Sequence, residues 1–321
     1  MDCDNQTRFP AKLLTTVLDE RRLFASVVMR VTYDLHDGKL VPSAQQPWIV
    51  SDEPWDSPLG AFEADLPFRK GGVDLLVAGS ACTPGRQPHR QTRISVEVGR
   101  FRAAGVVFGE RFWRRAQGRH GLVASEPVPF VTLPVTAESA FGGRVEFDGL
   151  VSGYPENPSG VGFYPDEDSA VNQPLPHVED PDALIAIWSD RPNPVLFGLC
   201  PRESAPRLRS AVHLVDGRIE QVTPRLFNRA HPRMVAPSVK PGETIVLKGF
   251  SHDGPIEIEI PPSHLVATVR LGDKTVERSL TIDEVGIQVA ESSVFIGYRY
   301  PFRYEFVPHQ LRLCTLENRE A

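Results

Sequence analysis

The stretch "FASVVMRVTYDLHDGKLVP", Phe24 to Pro42, decides the fold class. Val27, Val28, Val31 and Thr32 are β-branched and favour extended backbone. The run breaks at Asp37-Gly38 and resumes as a short apolar partner. Asp-Gly suits a tight type I′ hairpin, because glycine accepts positive φ at little cost. The same pattern returns in "AVHLVDGRIEQV" around Asp216-Gly217 and in "HLVATVRLGDKTVERSLTI" at Gly272-Asp273. "PIEIEI" alternates strictly. It sets Ile256, Ile258 and Ile260 on one face and Glu257 and Glu259 on the other, as a half-buried antiparallel strand requires.

Further strands are expected at Val73–Ser80, Thr92–Val98, Phe101–Phe108, Thr244–Lys248, Val285–Val289 and Val294–Tyr300. Strands at this spacing with turns between them predict a mainly β fold. The expected arrangement is antiparallel strands in two sandwich- or barrel-like blocks, near residues 10–125 and 210–315, within one domain over 1–321. Helices should be few and short. "PDALIAIWSD", Pro181 to Asp190, is the best helical candidate, with Leu184, Ile187 and Trp188 on one face.

Composition narrows the function. Hydrophobic residues make up 41% of the 321 and charged residues 24%, ordinary for a globular core. Proline is abundant at 30, which favours loops, edges and turns. The net charge of -6 argues against a nucleic-acid binder. The basic run "RFWRRAQGRH", Arg111 to His120, reads as a solvated face. Cys3, Cys82, Cys200 and Cys314 lie far apart without a C-x-x-C pair, so free thiols in a reducing compartment are expected. The first residues lack the apolar core of a secretory signal, and no apolar run is long enough for membrane insertion. A cytoplasmic protein is the expectation.

The middle, 126–209, differs. It is rich in Gly and Pro and its apolar residues lack period, yet Phe130, Phe141, Tyr154, Phe163, Tyr164 and Trp188 offer area to bury. An ordered segment joining the two blocks is expected. Gly142-Gly143 is not followed by the lysine of a P-loop, and "GVGFYP" breaks the dinucleotide fingerprint at Pro165. No serine elbow, H-E-x-x-H or close histidine pair occurs. "PDEDS" starts like a calcium loop but puts Val171 where the turn needs glycine, so an acidic turn is the better reading. "HVEDPD" gathers His177, Glu179 and Asp180, a conceivable acid/base group for a hydrolase, against acids capping a proline turn and a helix start. The sequence thus carries no cofactor, metal or catalytic motif.

Several segments in order resemble one family, the bacterial domain of unknown function 2169. They are Phe24–Pro42, "PFRKGGVDLLVAGSACTPGRQP", "ISVEVGRFRAAGVVFGERFW", "ESAFGG", "NPSGVGF", "LPHVEDP", "RLFNRAHPRM" and "LTIDEVGIQVAESSVFIGYRYPF". The departures are His177 where asparagine is expected, and Arg229 and His231 in a usually less basic stretch. The resemblance implies a non-enzymatic adaptor or chaperone of type VI secretion. Such an adaptor binds a cognate effector protein and helps load it onto the valine-glycine repeat spike or its PAAR tip. A structural subunit of the secretion apparatus is an alternative. The signature-loop residues are Phe141, Gly142, Gly143, Asn157, Pro158, Gly160, Gly162 and Phe163, with Asn228 further on. "RYPFRYEF", Arg299 to Phe306, is the candidate client surface through Arg299 and Arg303; a closing core strand with snorkelling arginines is the other reading.

Overall fold

A computed structural model describes residues 1–118, 120–147 and 149–319. The fold is mainly β, built on a large curled sheet of 12 strands. Its order is Val178–Glu179, Phe101–Phe108, Gln91–Val98, Thr244–Lys248, Ile256–Glu259, Lys39–Pro42, Arg22–His36, Ser293–Glu305, Thr281–Gln288, Val73–Ala78 and Val235–Ala236, with Ala11–Val17 also paired to Arg22–His36. Strands from 10–125 and from 210–315 therefore lie side by side in one sheet. A second sheet of four strands joins Asp2–Asn5, Arg312–Asn318, Leu265–Leu271 and Lys274–Ser279. It sets Cys3 opposite Cys314, and both are free thiols.

The hairpins form where the glycines stand. Asp37 and Gly38 take φ of 47° and 80°, and Asp216 and Gly217 take 49° and 73°, the paired positive values of a type I′ turn. Phe101–Phe108 and Thr244–Lys248 keep the bounds read from sequence. Ile258 and Ile260 are fully buried.

The segment Pro181–Asp190 is not a helix. Its backbone donors go to side chains instead. Ile185 N–H donates to the Glu179 carboxylate at 2.8 Å, and Ala186 and Ile187 N–H donate to Asp190 at 2.8 and 2.9 Å. Carboxylates that capture N–H groups compete with the i−4 carbonyls a helix needs. The acidic turn after Pro165 does form. Asp166 caps the single helical turn Glu167–Ala170 and accepts from Ser169 N–H at 2.7 Å. Among the described residues no helix is long and apolar enough to cross a membrane.

The long strand Arg22–His36 is buried on both faces from Ala25 to Tyr33. Side chains alternate along a strand, so its two faces differ. Val27, Met29, Val31 and Tyr33 meet Tyr298, Ile296 and Val294 across the ladder and form the apolar core. Ser26, Val28, Arg30 and Thr32 point the other way. That second face holds the charges.

Candidate functional site

A row of residues crosses four strands on the second face. By register Asp74 lies beside Glu284, Glu284 beside Gly297, and Gly297 beside Arg30. Strands lie about 4.8 Å apart, so Arg30 and Glu284 are separated by two spacings. Gly297 contributes no side chain between them, and Arg30 Nη2 reaches Glu284 Oε2 at 3.1 Å. A Cβ at Gly297 would stand 3.0 Å from Glu284 Cβ and 3.3 Å from Glu284 Oε2.

Three cations and three carboxylates assemble here: Arg30, Lys70 and Arg229 with Asp65, Asp74 and Glu284, all buried. Arg30 binds both Asp65 oxygens, at 2.9 and 2.7 Å. Arg229 reaches Asp65 at 2.6 Å and Glu284 at 3.2 Å. Lys70 bridges Asp74 at 2.8 Å and Glu284 at 3.2 Å. Burial pushes the Asp65 carboxyl up, but Arg30 and Arg229 outweigh it and hold it well below the usual range. Burial opposes the charge of Glu284 too, yet Lys70, Arg229 and Arg30 bring it down to about 2. Asp65 and Glu284 are thus held ionised, and three carboxylates stand against three cations. An aromatic roof covers the group: the Phe62 ring stacks on both guanidinium groups, at 5.0 Å from Arg30 and 4.5 Å from Arg229, and Trp48 stacks on Phe295 at 3.9 Å.

A bulge enlarges the charged face. The register between Thr281–Gln288 and Ser293–Glu305 shifts between Ile282 and Glu284, leaving Asp283 as the extra residue. Consecutive acids then serve the same side, Asp283 for Arg299 and Glu284 for the cluster. Arg299 is buried and also donates to the Leu66 carbonyl at 2.7 Å. Of the two arginines singled out in "RYPFRYEF", only Arg303 is exposed, with its guanidinium 5.9 Å from the Phe24 ring.

Asn228 is buried and fully used. Its amide oxygen accepts from Gly71 N–H at 2.9 Å, and its nitrogen donates to Gly72 O at 3.2 Å and to Asp74 at 2.9 Å. Asp74 also accepts from the N–H groups of Arg229 and Ala230. Arg229 and His231, the two basic departures in this stretch, belong to the interior. Burial, with Arg233 nearby, lowers His231 to about 4.

The central glycines form a separate knot. Phe141–Gly142 pairs in parallel with Val161–Gly162. Asn157 is buried at the centre. Its amide donates to Ala137 O at 2.7 Å and Phe141 O at 3.2 Å, and its carbonyl accepts from Gly143 and Gly160 N–H. Gly142 takes φ +150°, and a Cβ there would stand 2.0 Å from the Asn157 carbonyl oxygen; at Gly160 it would stand 2.5 Å from Ala140 O. Tyr154 packs between Phe141 at 4.9 Å and Phe163 at 5.5 Å, and Arg191 covers Phe163 at 5.0 Å. Gly162 closes against Pro176, while Pro158 stays exposed. The N–H groups of Gly143, Gly160, Val161 and Phe163 are spent on carbonyls within the knot. It is a packed unit, tied to the main sheet where His177 and Val178 N–H donate to Ser139 O.

The structure does not bring His177, Glu179 and Asp180 onto a common partner. His177 Nδ1 faces the Phe108 carbonyl at 2.9 Å, Glu179 is buried against Arg111, and Asp180 pairs with Arg233. Arg111, expected on a solvated face, is buried, with its guanidinium 3.9 Å from the Phe108 ring. It neutralises Glu179, which a strand edge would otherwise bury alone. No group of three or more His, Cys, Asp or Glu among the described residues is placed to hold a metal ion.

Several two-stranded pairs stand outside both sheets, and two of them are strongly exposed hairpins. Among the described residues Val212–Val215 pairs only with Arg218–Val222, and Arg144–Phe147 only with Leu150–Gly153. They expose large apolar side chains: Leu214 at 61% and Ile219 at 66%, Leu150 at 76% and Val151 at 67%.

Residues 20–299 match the sequence profile of a family described as an uncharacterized protein conserved in bacteria (DUF2169). No curated protein and no solved structure matches the chain significantly.

Proposed function

The chain belongs to the bacterial DUF2169 family, and from that premise we propose that it is a non-enzymatic adaptor that binds a type VI secretion effector in the cytoplasm and helps load it onto the spike or its PAAR tip. The observation that carries this reading is the exposed hairpin Val212–Val222. A two-stranded hairpin is marginal alone in water, and apolar side chains on it gain by being covered. Leu214 and Ile219 are register partners in that hairpin, so they present one patch to a protein client. The resemblance along the chain supplies the identity of the client, an effector. The buried charges support the reading indirectly, since they rigidify the frame from which the hairpin projects.

Deleting the gene tests the proposal. Secretion of one cognate effector stops while the apparatus still fires, and the adaptor itself stays in the cell. Leu214→Asp with Ile219→Asp lowers effector co-purification at unchanged melting temperature. Normal secretion of every effector without this protein refutes the adaptor reading.

A further inference from the structure

A cleft of about 1080 Å³ opens between the segments 69–73, 223–225 and 237–241 and the strand residues Thr281 and Arg299. Its lining holds five cations, Arg69, Lys70, Arg225, Lys240 and Arg299, against one carboxylate, Asp283. The chain as a whole carries -6, so the local sign is opposite to the global one. Two of the cations form the floor and are committed: Lys70 to Asp74 and Glu284, Arg299 to Asp283. The other three form the rim. Arg69, Arg225 and Lys240 are exposed, and among the described residues their side chains have no ion pair or hydrogen bond. Like charges gathered at one concave site repel one another and concentrate anions.

The walls offer extended backbone as well as charge. The register of Ser293–Glu305 with Thr281–Gln288 ends at Arg299. From Tyr300 on, the strand pairs only with Arg22–His36 among the described residues, and Tyr300 and Pro301 line the cleft. His213, on the projecting hairpin, lines it too. An unpartnered strand edge beside a groove can take extended chain, here with Pro301 offering a carbonyl but no N–H. The volume exceeds what a single small anion fills, since clefts of about 300–1,000 Å³ already enclose drug-sized ligands.

We propose that this cleft seats an acidic, extended segment of the protein client, with its carboxylates on Arg69, Arg225 and Lys240. The proposal rests on the adaptor reading for the identity of the partner. The cleft chemistry is tested without it. A fluorescein-labelled peptide of alternating Glu and Val is titrated with the full-length protein and followed by polarisation. The controls are an alternating Lys and Val peptide and inorganic phosphate as competitor.

The Glu peptide binds, the Lys peptide does not, and binding weakens as salt rises. Arg69→Glu with Arg225→Glu and Lys240→Glu weakens it about tenfold or more, while melting temperature holds. Absence of binding by the wild type, equal binding by the triple variant, or displacement by phosphate at equimolar concentration overturns the proposal. Client co-purification separates the two ideas. A triple variant that loses the peptide yet keeps the effector removes the cleft from client binding and leaves the adaptor standing. Effector secretion that needs no adaptor, beside intact peptide binding, leaves the cleft and removes the adaptor.

Discussion

Replacing Arg229 by methionine tests whether the buried charges act as one balanced unit. The substitution keeps much of the aliphatic volume beneath Phe62 and removes the guanidinium. Asp65 loses a partner at 2.6 Å and Glu284 one at 3.2 Å. Three buried carboxylates then face two cations, Arg30 and Lys70. With an effective dielectric near 20, a pair of charges about 4 Å apart is worth about 4 kcal/mol. Arg229 makes two such contacts, and its removal recovers its own desolvation cost of several kcal/mol. The net expectation is a loss of about 3–5 kcal/mol, against a total stability of about 5–15 kcal/mol. Urea denaturation followed by tryptophan fluorescence reads it, because Trp48 stacks on Phe295 in the roof of the cluster. Arg229→Met with Glu284→Gln restores a balance of two and two, so the double variant is more stable than the sum of the single losses by about 1–3 kcal/mol. The pH dependence has a definite sign. In the wild type Glu284 is down at about 2, so its contribution is present above its ordinary value and fades as pH falls toward 2. In the variant that depression shrinks, so the gap between the two proteins narrows on acidification. A loss under about 1 kcal/mol, or strict additivity of the double variant, refutes the balanced-cluster argument.

Three further outcomes follow from particular contacts. Burial holds His231 at about 4, so the native state resists a proton the unfolded chain accepts, and stability falls as pH drops from about 6.5 to 4, by about 3 kcal/mol; His231→Asn flattens that slope in denaturation runs at stepped pH. Gly297→Val wedges a branched side chain between Arg30 and Glu284 and lowers stability by about 2–4 kcal/mol, whereas Gly254→Ala, with open space at its Cβ position, costs at most about 1–2 kcal/mol for its φ of +123°. Gly143→Val, at φ +119° and 2.9 Å from the Gly160 carbonyl oxygen, lowers the melting temperature by more than His177→Ala does, and equal effects count against the knot as a packing device.

Local signals made the strands legible. Alternation in "PIEIEI" and Asp-Gly turns depend only on neighbours in sequence, so Phe101–Phe108 and Thr244–Lys248 fell at their observed bounds. Reading failed where a residue answers to a distant partner. The strand Thr281–Gln288 begins four residues before the expected Val285, because Asp283-Glu284 looks like a polar boundary and is instead a buried bulge. Val294–Tyr300 was expected to stop before Pro301, yet the strand continues to Glu305, with a strand partner on one side only among the described residues, where proline is tolerated. The helix expected at Pro181–Asp190 lost its N–H groups to Glu179 and Asp190, contacts no helical pattern reveals. The charge cluster left one visible trace. Arg30 in "VVMRVTY" and Asp74 in "VDLLVA" each interrupt an apolar run that should be buried, and Glu284 in "DEVGIQV" stands at the start of another. A single charge there costs several kcal/mol, so three of them required one another. Arg30 and Glu284 are 254 positions apart, and sequence alone does not pair them.

The buried cluster and the basic cleft are parts of one arrangement. Asn228 holds Gly71 and Gly72, and Arg225 packs so close to Gly71 that a Cβ there would stand 2.7 Å from its backbone nitrogen. Arg69 and Arg225 are thereby placed on the cleft rim beside groups that are themselves held through Asp74 and Lys70. The floor is electrically neutral: Lys70 is offset within the balanced cluster and Arg299 by Asp283. The excess positive charge of the cleft therefore comes from the rim alone. Rim charges are exposed and screened by salt, whereas the floor pairs are mostly buried and screened less. The same fold thus separates two electrostatic jobs by depth. The deep charges set the register of strands that lie hundreds of residues apart, at a desolvation cost met by mutual pairing. The shallow ones have no ion pair among the described residues, and their cost of repulsion is what a bound acidic segment would relieve.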